Sequence, residues 1–237
     1  YLQFKYFLTY RYDLNKNFMK TSKKYWKKIK SVSSNASANA SLFRFLGSLN
    51  FNIKKKNILE IGFGAGSDLI EMLKRGGYTY GLDINKKFVN KLKPKIKNLK
   101  CADCIEGETF FENVKFNLIY HRDLIYYLDK DEINDLNHKV FNSLKKRGIY
   151  VFQYVEDDLI KKIKNSENVN FDLNFKKQFK IKKFAEKNNP IRFLKYKFLL
   201  ENCKKNNFEF LGKKILIESY DKNERKIRVN RYLAFKK

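Results

Sequence analysis

Residues 57–66 read Asn-Ile-Leu-Glu-Ile-Gly-Phe-Gly-Ala-Gly, an apolar run closing on an acidic residue, then three glycines at alternate positions. An apolar run bounded by turn residues has the character of a buried parallel strand, and the glycines behind it turn the chain tightly into a helix. Lacking Cβ atoms, the backbone there can approach a ligand closely. A helix N-terminus beside it favours anionic or polar groups.

Downstream, strand-like and helix-like segments alternate, which argues a parallel sheet with helices on both faces. Strands are expected at Asn57–Ile61, Thr79–Ile84, Asn98–Cys101, Phe116–Tyr120 and Ile149–Val155. Between them, helices are expected at Ser67–Arg75, Lys86–Lys93 and Asp129–Leu144. Ser67 or Asp68 can cap the first helix and Gly76-Gly77 end it; Pro94 stops the second. The third has an acidic first turn and a basic last turn, and Gly148 then releases the fifth strand.

Three further segments complete the chain. Residues 1–50 read as a helical N-terminal cap, with a basic Lys20–Lys30 stretch carrying Tyr25 and Trp26 and an apolar helical stretch at Leu42–Leu49. Residues 51–237 form the main domain, interrupted at about 156–190 by a polar, Lys- and Asn-rich insertion read as a cap or lid. A helix at Arg192–Asn206 and strands at Phe208–Tyr220 and Lys226–Phe235, joined by Asp221–Glu224 as a hairpin, follow.

Composition narrows the functional classes. The chain has 237 residues, 43% of them hydrophobic, enough for one α/β domain with a core. No long uncharged apolar run is present, so no membrane span is expected, and the N-terminus lacks the zones of a signal peptide. A cytoplasmic location is the expectation. Cys101 and Cys104 form a lone C-x-x-C beside only two histidines, so no metal site is expected. The net charge of +27 comes mainly from Lys spread along the chain, in company with many Asn, Ile, Phe and Tyr. That pattern has the look of an A/T-rich genome's codon bias, and nucleic acid is not the favoured partner.

The exact glycine spacing bears on the family. Gly62, Gly64 and Gly66 give G-x-G-x-G, with Ser67 where a dinucleotide fingerprint would carry glycine, and Glu60 stands just ahead. E-x-G-x-G-x-G resembles the first motif of class I S-adenosylmethionine (SAM)-dependent methyltransferases. The resemblance implies a Rossmann-like, seven-stranded, mostly parallel sheet of order 3-2-1-4-5-7-6 with an antiparallel C-terminal hairpin. It also implies SAM as cofactor, with S-adenosylhomocysteine (SAH) as product.

The same resemblance distributes roles among residues. Gly62, Phe63, Gly64 and Gly66 form the cofactor loop, and Glu60 beneath it anchors the loop amides or the methionine amino group. Asp83, at the end of the second strand, accepts the ribose hydroxyls, with Ile84 beside it; it can equally cap the turn before Asn85. Asp103 accepts a hydrogen bond from the adenine amino group and the Cys104 backbone meets the ring; on spacing alone Asp103 is as readily a turn aspartate.

Residues after the fourth strand face the methyl side in this fold, and here they read Tyr120-His121-Arg122-Asp123. Tyr120 is assigned to the cofactor. His121 is the candidate general base, or a ring packed against the cofactor without proton transfer. Arg122 can bind an acidic acceptor group or pair with Asp123. Tyr126 and Trp26 are the other candidate acceptor contacts, with core packing as the alternative for each. The Arg122-Asp123 pair resembles the phosphobase N-methyltransferases over too short a stretch to name that substrate. The Asn/Asp-Pro-Pro-Tyr signature of amino-directed nucleic-acid methyltransferases is absent after the fourth strand. The expected activity is methyl transfer to an oxygen or nitrogen of a small molecule or sugar. The alternatives are an RNA-modifying methyltransferase and a non-catalytic SAM-binding subunit.

Overall fold

A computed structural model describes residues 22–30, 37–154, 194–220 and 226–237. The expected insertion at 156–190, the hairpin turn at 221–224 and the first twenty-one residues of the expected N-terminal cap lie outside the described residues.

The apolar run that opens the main domain is strand β1 (Asn57–Ile61), buried after its first residue. It is followed by β2 (Tyr78–Asp83), β3 (Asn98–Cys101), β4 (Phe116–His121), β5 (Leu144–Tyr154), β6 (Glu209–Tyr220) and β7 (Lys226–Lys236). Together they form one seven-stranded sheet in the order β3-β2-β1-β4-β5-β7-β6. The first five strands pair in parallel, and β7 runs antiparallel to both β5 and β6. This is the order expected.

Among the described residues the α-helices are α1 (residues 22–28), α2 (Ala40–Ser48), α3 (Ser67–Lys74), α4 (Lys86–Leu92), α5 (Lys130–Ser143) and α6 (Tyr196–Lys205). They cover a sheet whose side chains alternate strictly between its faces. Ile58, Leu118, Tyr120, Val151 and Tyr232 point toward Leu42, Phe45 and Leu46 of α2 and Met72 of α3. Their neighbours Leu59, Ile119, Tyr150, Phe152 and Leu233 point toward Ile133, Leu136 and Val140 of α5 and Leu199 of α6. Burial on both faces explains why these strands read as continuous apolar runs rather than as alternating ones.

Several boundaries differ from the expectation for identifiable reasons. Neither Ser67 nor Asp68 caps α3; Gly66 is the N-cap and supplies no side chain. The Asp68 carboxylate is instead committed to tertiary partners. Helix α2 begins at Ala40, inside the small polar stretch, because Asn39 caps it by accepting the Leu42 amide at 2.9 Å. Helix α5 has its acidic first turn and a capping box between Asp129 and Glu132, but no basic last turn. Lys145 and Lys146 belong to β5, which starts at Leu144 directly after the helix. Gly148 therefore opens no loop. It lies inside β5, next to a register shift against β4, where a Cβ would meet the carbonyl oxygens of Lys145 and Phe116 at 2.9 Å. The glycine is needed for that close approach.

Candidate active site

The parallel strands end together, and the loops leaving β1 to β4 bring the expected residues to one edge of the sheet. After β1 the chain passes through Gly62, Gly64 and Gly66 at φ values of 70, 53 and 74°, a region that L side chains rarely occupy. At Gly66 a Cβ would also lie 2.3 Å from Leu92 Cδ2, so the loop rests directly on α4. Phe63 is buried with Leu69, Phe88 and Val89, which pins the loop's other side.

Asp83, at the end of β2, is the organiser of this loop. Its Oδ2 accepts the Gly64 amide and its Oδ1 the Asn85 amide, both at 2.8 Å. Burial pushes the Asp83 carboxyl above its ordinary value, against the pull of those two amides. The loop anchor expected of Glu60 is thus supplied by Asp83, and the local capping role proposed for Asp83 is present as well. Ile84 beside it is half-buried, and its carbonyl accepts the Cys101 thiol at 3.8 Å. Asn85, which sequence reasoning passed over, caps α4 through its side-chain oxygen. Its side-chain amide donates to the carbonyls of Trp26 and Ile29, at 2.8 and 3.0 Å.

Beneath the loop lies a buried ionic group. Tyr120 donates its hydroxyl to Glu60 Oε2 at 2.9 Å, both residues being buried. Burial, reinforced by the nearby Asp68 charge, pushes the Glu60 carboxyl well above the usual carboxylate range. Burial and then the Glu60 charge push the Tyr120 phenol upward too. Arg122 reaches back to Asp68, its Nε 2.5 Å from Oδ2, while its distance to Asp123 is 4.0 Å. Asp68 Oδ1 accepts the Asn39 amide at 2.7 Å. Of the two partners foreseen for Arg122, an acceptor anion or Asp123, neither is its main contact here: Asp68 is.

At the end of β3, Asp103 is buried and its Oδ2 pairs with Lys23 at 2.8 Å; its Oδ1 accepts the Ile105 amide at 3.3 Å. Lys23 also meets Glu132 of α5 at 3.1 Å. Cys104 is buried, and its carbonyl and that of Glu106 accept Lys139 of α5, at 3.3 and 2.6 Å. Trp26 packs edge-on against Tyr127 with centroids 5.3 Å apart, and Tyr126 packs on Tyr127 at 4.7 Å. Trp26 and Tyr126 thus sit with the strand ends, both packed on Tyr127. Lys23 and Glu132 were not foreseen as site residues. Lys23 stands in a run of basic residues with no feature to single it out.

His121 is placed differently from its expected role. Strand alternation turns it away from Glu60 and Tyr120 to the other face of the sheet. There it is fully buried, stacked on Phe152 with centroids 5.4 Å apart, its Nε2 2.8 Å from the Tyr150 hydroxyl. Burial lowers its pKa to about 3. An enclosed, neutral imidazole is poorly placed to take a proton from an acceptor. Because the folded value lies below that of the unfolded chain, His121 contributes stability above about pH 6.5 that is lost as the pH falls toward 3. His121→Gln, which keeps a partner for Tyr150, is expected to flatten this acid-side loss. Between pH 7 and 5 the wild type should lose about 2 kcal/mol more than the variant in urea unfolding.

Comparison with known proteins bears on what this edge of the sheet is for. The family model described as "Methyltransferase domain" matches residues 58–148, which hold the glycine loop, Asp83, Asp103 and Tyr120. The fold matches a SAM-dependent methyltransferase from Methanosarcina mazei with TM-score 0.63 at 14% identity, over 85% of this chain and 98% of that one. Residues 58–148 thus match a methyltransferase domain, and the fold is that of SAM-dependent methyltransferases.

Curated relatives extend the comparison. The chain is 30% identical over 147 residues to the phosphoethanolamine N-methyltransferase of Plasmodium falciparum, covering 60% of this chain and 52% of that protein. It is 30% identical over 105 residues to phosphoethanolamine N-methyltransferase 3 of Arabidopsis thaliana, covering 42% of this chain and 21% of that one. The chain thus spans about half the length of the first and a fifth of the second. The N-methyltransferase NodS of Bradyrhizobium japonicum, solved with SAH, aligns with TM-score 0.59 at 12% identity over 92% of this chain and 98% of that one.

The cofactor of the family is SAM, and the residues present fit it. A carboxylate has about four lone-pair positions, and Asp83 spends two on backbone amides, leaving capacity for two hydroxyl donors. Asp103 retains acceptor capacity in the same way. No helix among the described residues is long and apolar enough to cross a membrane.

Proposed function

We propose that this protein moves the methyl group of SAM to a nitrogen or oxygen of a small molecule, and that the amine of a small phosphorylated compound is the first acceptor class to consider. The observation that carries this reading is the match over 147 residues to an enzyme named for phosphoethanolamine N-methylation. The second such relative supports the same class.

The cofactor, when bound, supplies a sulfonium methyl already activated for in-line displacement. The protein's task is then alignment and exclusion of water more than activation. In this reading Asp83 receives the ribose, Asp103 the adenine amino group, and Glu60 and Tyr120 close the methionine end beneath the glycine loop. Trp26, Arg122 and Tyr126 border the acceptor. The amine attacks in its neutral form, so an alkylammonium first gives up a proton to water; methyl transfer from the sulfonium then leaves a methylammonium and SAH. The enclosed ring of His121 is therefore given a packing and hydrogen-bonding role rather than proton transfer.

Incubation with SAM carrying a labelled methyl group tests this. Label is expected on phosphoethanolamine or a related phosphorylated amine, and not on RNA. Transfer to RNA alone would replace the small-molecule reading. Calorimetric binding of SAH without transfer to any amine, alcohol, sugar or RNA would support a non-catalytic SAM-binding subunit.

A further inference from the structure

We infer that Lys23 is a positioning residue: held between the Asp103 and Glu132 carboxylates, its ammonium straps α1 across the carboxyl ends of β2, β3 and β4 and sets the wall against which ligands bind. The ligand part of this inference rests on the methyltransferase reading; the strap itself does not.

Four contacts hold α1 there, each from a different element. Lys23 bridges Asp103, after β3, at 2.8 Å and Glu132, in the first turn of α5, at 3.1 Å. Asn85, after β2, donates to the carbonyls at positions 26 and 29. Trp26 packs on Tyr127, after β4. The Lys23 bridge is the only one of these that neutralises charge. Both carboxylates have side chains only 6% exposed, and removing the ammonium leaves two desolvated anions without it. A neutral amino group arriving at Asp103 cannot replace that charge, so Lys23 stays in place while the remaining acceptor capacity of Asp103 serves a ligand.

Three polar atoms on these elements have no hydrogen-bond partner among the described residues: Ser22 Oγ, Trp26 Nε1 and the Tyr127 hydroxyl. Ser22 and Trp26 lie one turn apart on the same face of α1, and Tyr127 touches Trp26. Buried polar groups ordinarily find partners, so this cluster marks where a polar ligand is received under the strap.

Trp26 is the chain's single tryptophan, so its emission reports the strap directly. Wild type, Lys23→Met and Lys23→Arg are compared by tryptophan fluorescence and by calorimetric titration with SAH, with circular dichroism to confirm folding. Free Lys23→Met is expected to emit at longer wavelength than wild type as Trp26 is released. It should bind SAH about tenfold more weakly, the scale of one lost charge-assisted hydrogen bond. Lys23→Arg, which keeps the charge, should recover most of both properties. Wild-type emission and wild-type affinity in folded Lys23→Met would overturn the inference, as would Lys23→Arg behaving like Lys23→Met. Wild type that fails to bind SAH would remove the cofactor reading, while the emission of the free proteins would still decide the strap.

Discussion

Asp83→Ala is expected to abolish measurable SAH binding. The side chain holds two buried amides, those of Gly64 and Asn85, at 2.8 Å each. Alanine leaves both without an acceptor, at a cost of about 1–3 kcal/mol apiece. The first of these amides fixes the glycine loop, and the second fixes the residue that caps α4 and receives α1. The loss therefore falls on the shape of the glycine loop as well as on the carboxylate proposed to receive the ribose. Affinity should drop by more than about a hundredfold, equivalent to about 3 kcal/mol, with a lower melting temperature. Asp83→Asn retains one acceptor oxygen and should fall between the two. An Asp83→Ala protein that binds SAH within about threefold of wild type would mean that the ligand does not sit on this loop.

Asp68→Ala is expected to be the most destabilising single change in the site. The Asp68 side chain is fully enclosed, and its two oxygens hold Arg122 Nε and the Asn39 amide. Asn39 in turn caps α2 and accepts the Tyr232 hydroxyl at 3.1 Å. One carboxylate thereby ties α3, the start of α2 and the loop after β4 into a unit. Truncation leaves a largely buried guanidinium with Asp123, 4.0 Å away, as its remaining ion-pair partner among the described residues, and breaking such a pair costs about 3–5 kcal/mol. Urea unfolding should show this as a lower midpoint with an unchanged slope. Asp68→Asn, which keeps an acceptor but not the charge, should lose less. A loss below about 1 kcal/mol would class the pair with solvent-screened surface bridges.

The parallel core was readable because its strands are buried on both faces. Runs such as Ile58–Ile61 and Leu118–Tyr120 therefore carry their signal without alternation, and glycine, proline and Asx residues punctuate them. The glycine loop and Asp83 were readable because their backbone requirements leave residue-type traces. Other features left no such trace. Asp68 looks like an ordinary first-turn acid, and nothing local says that its partner is Arg122, fifty-four positions away. Lys23 is one lysine among many. The direction of His121 depends on which face of β4 it occupies, and a strand apolar on both faces hides that parity. Gly148 reads as a loop glycine because the bulge that needs it is formed by Phe116 of a different strand.

The strand order has a consequence for the chain during its synthesis. Strand β7, the last of the seven in chain order, inserts between β5 and β6 and pairs with β5 from Ile149 to Tyr154. Until β7 emerges, β5 is the bare edge of a growing parallel sheet. It presents unpaired backbone groups flanked by Tyr150, Val151 and Phe152, all fully buried in the finished protein. Such an edge is a template for pairing with another nascent chain. A message truncated after β6 should therefore yield insoluble polypeptide rather than a smaller folded domain, although every residue of the glycine loop and of Asp83 has already been made.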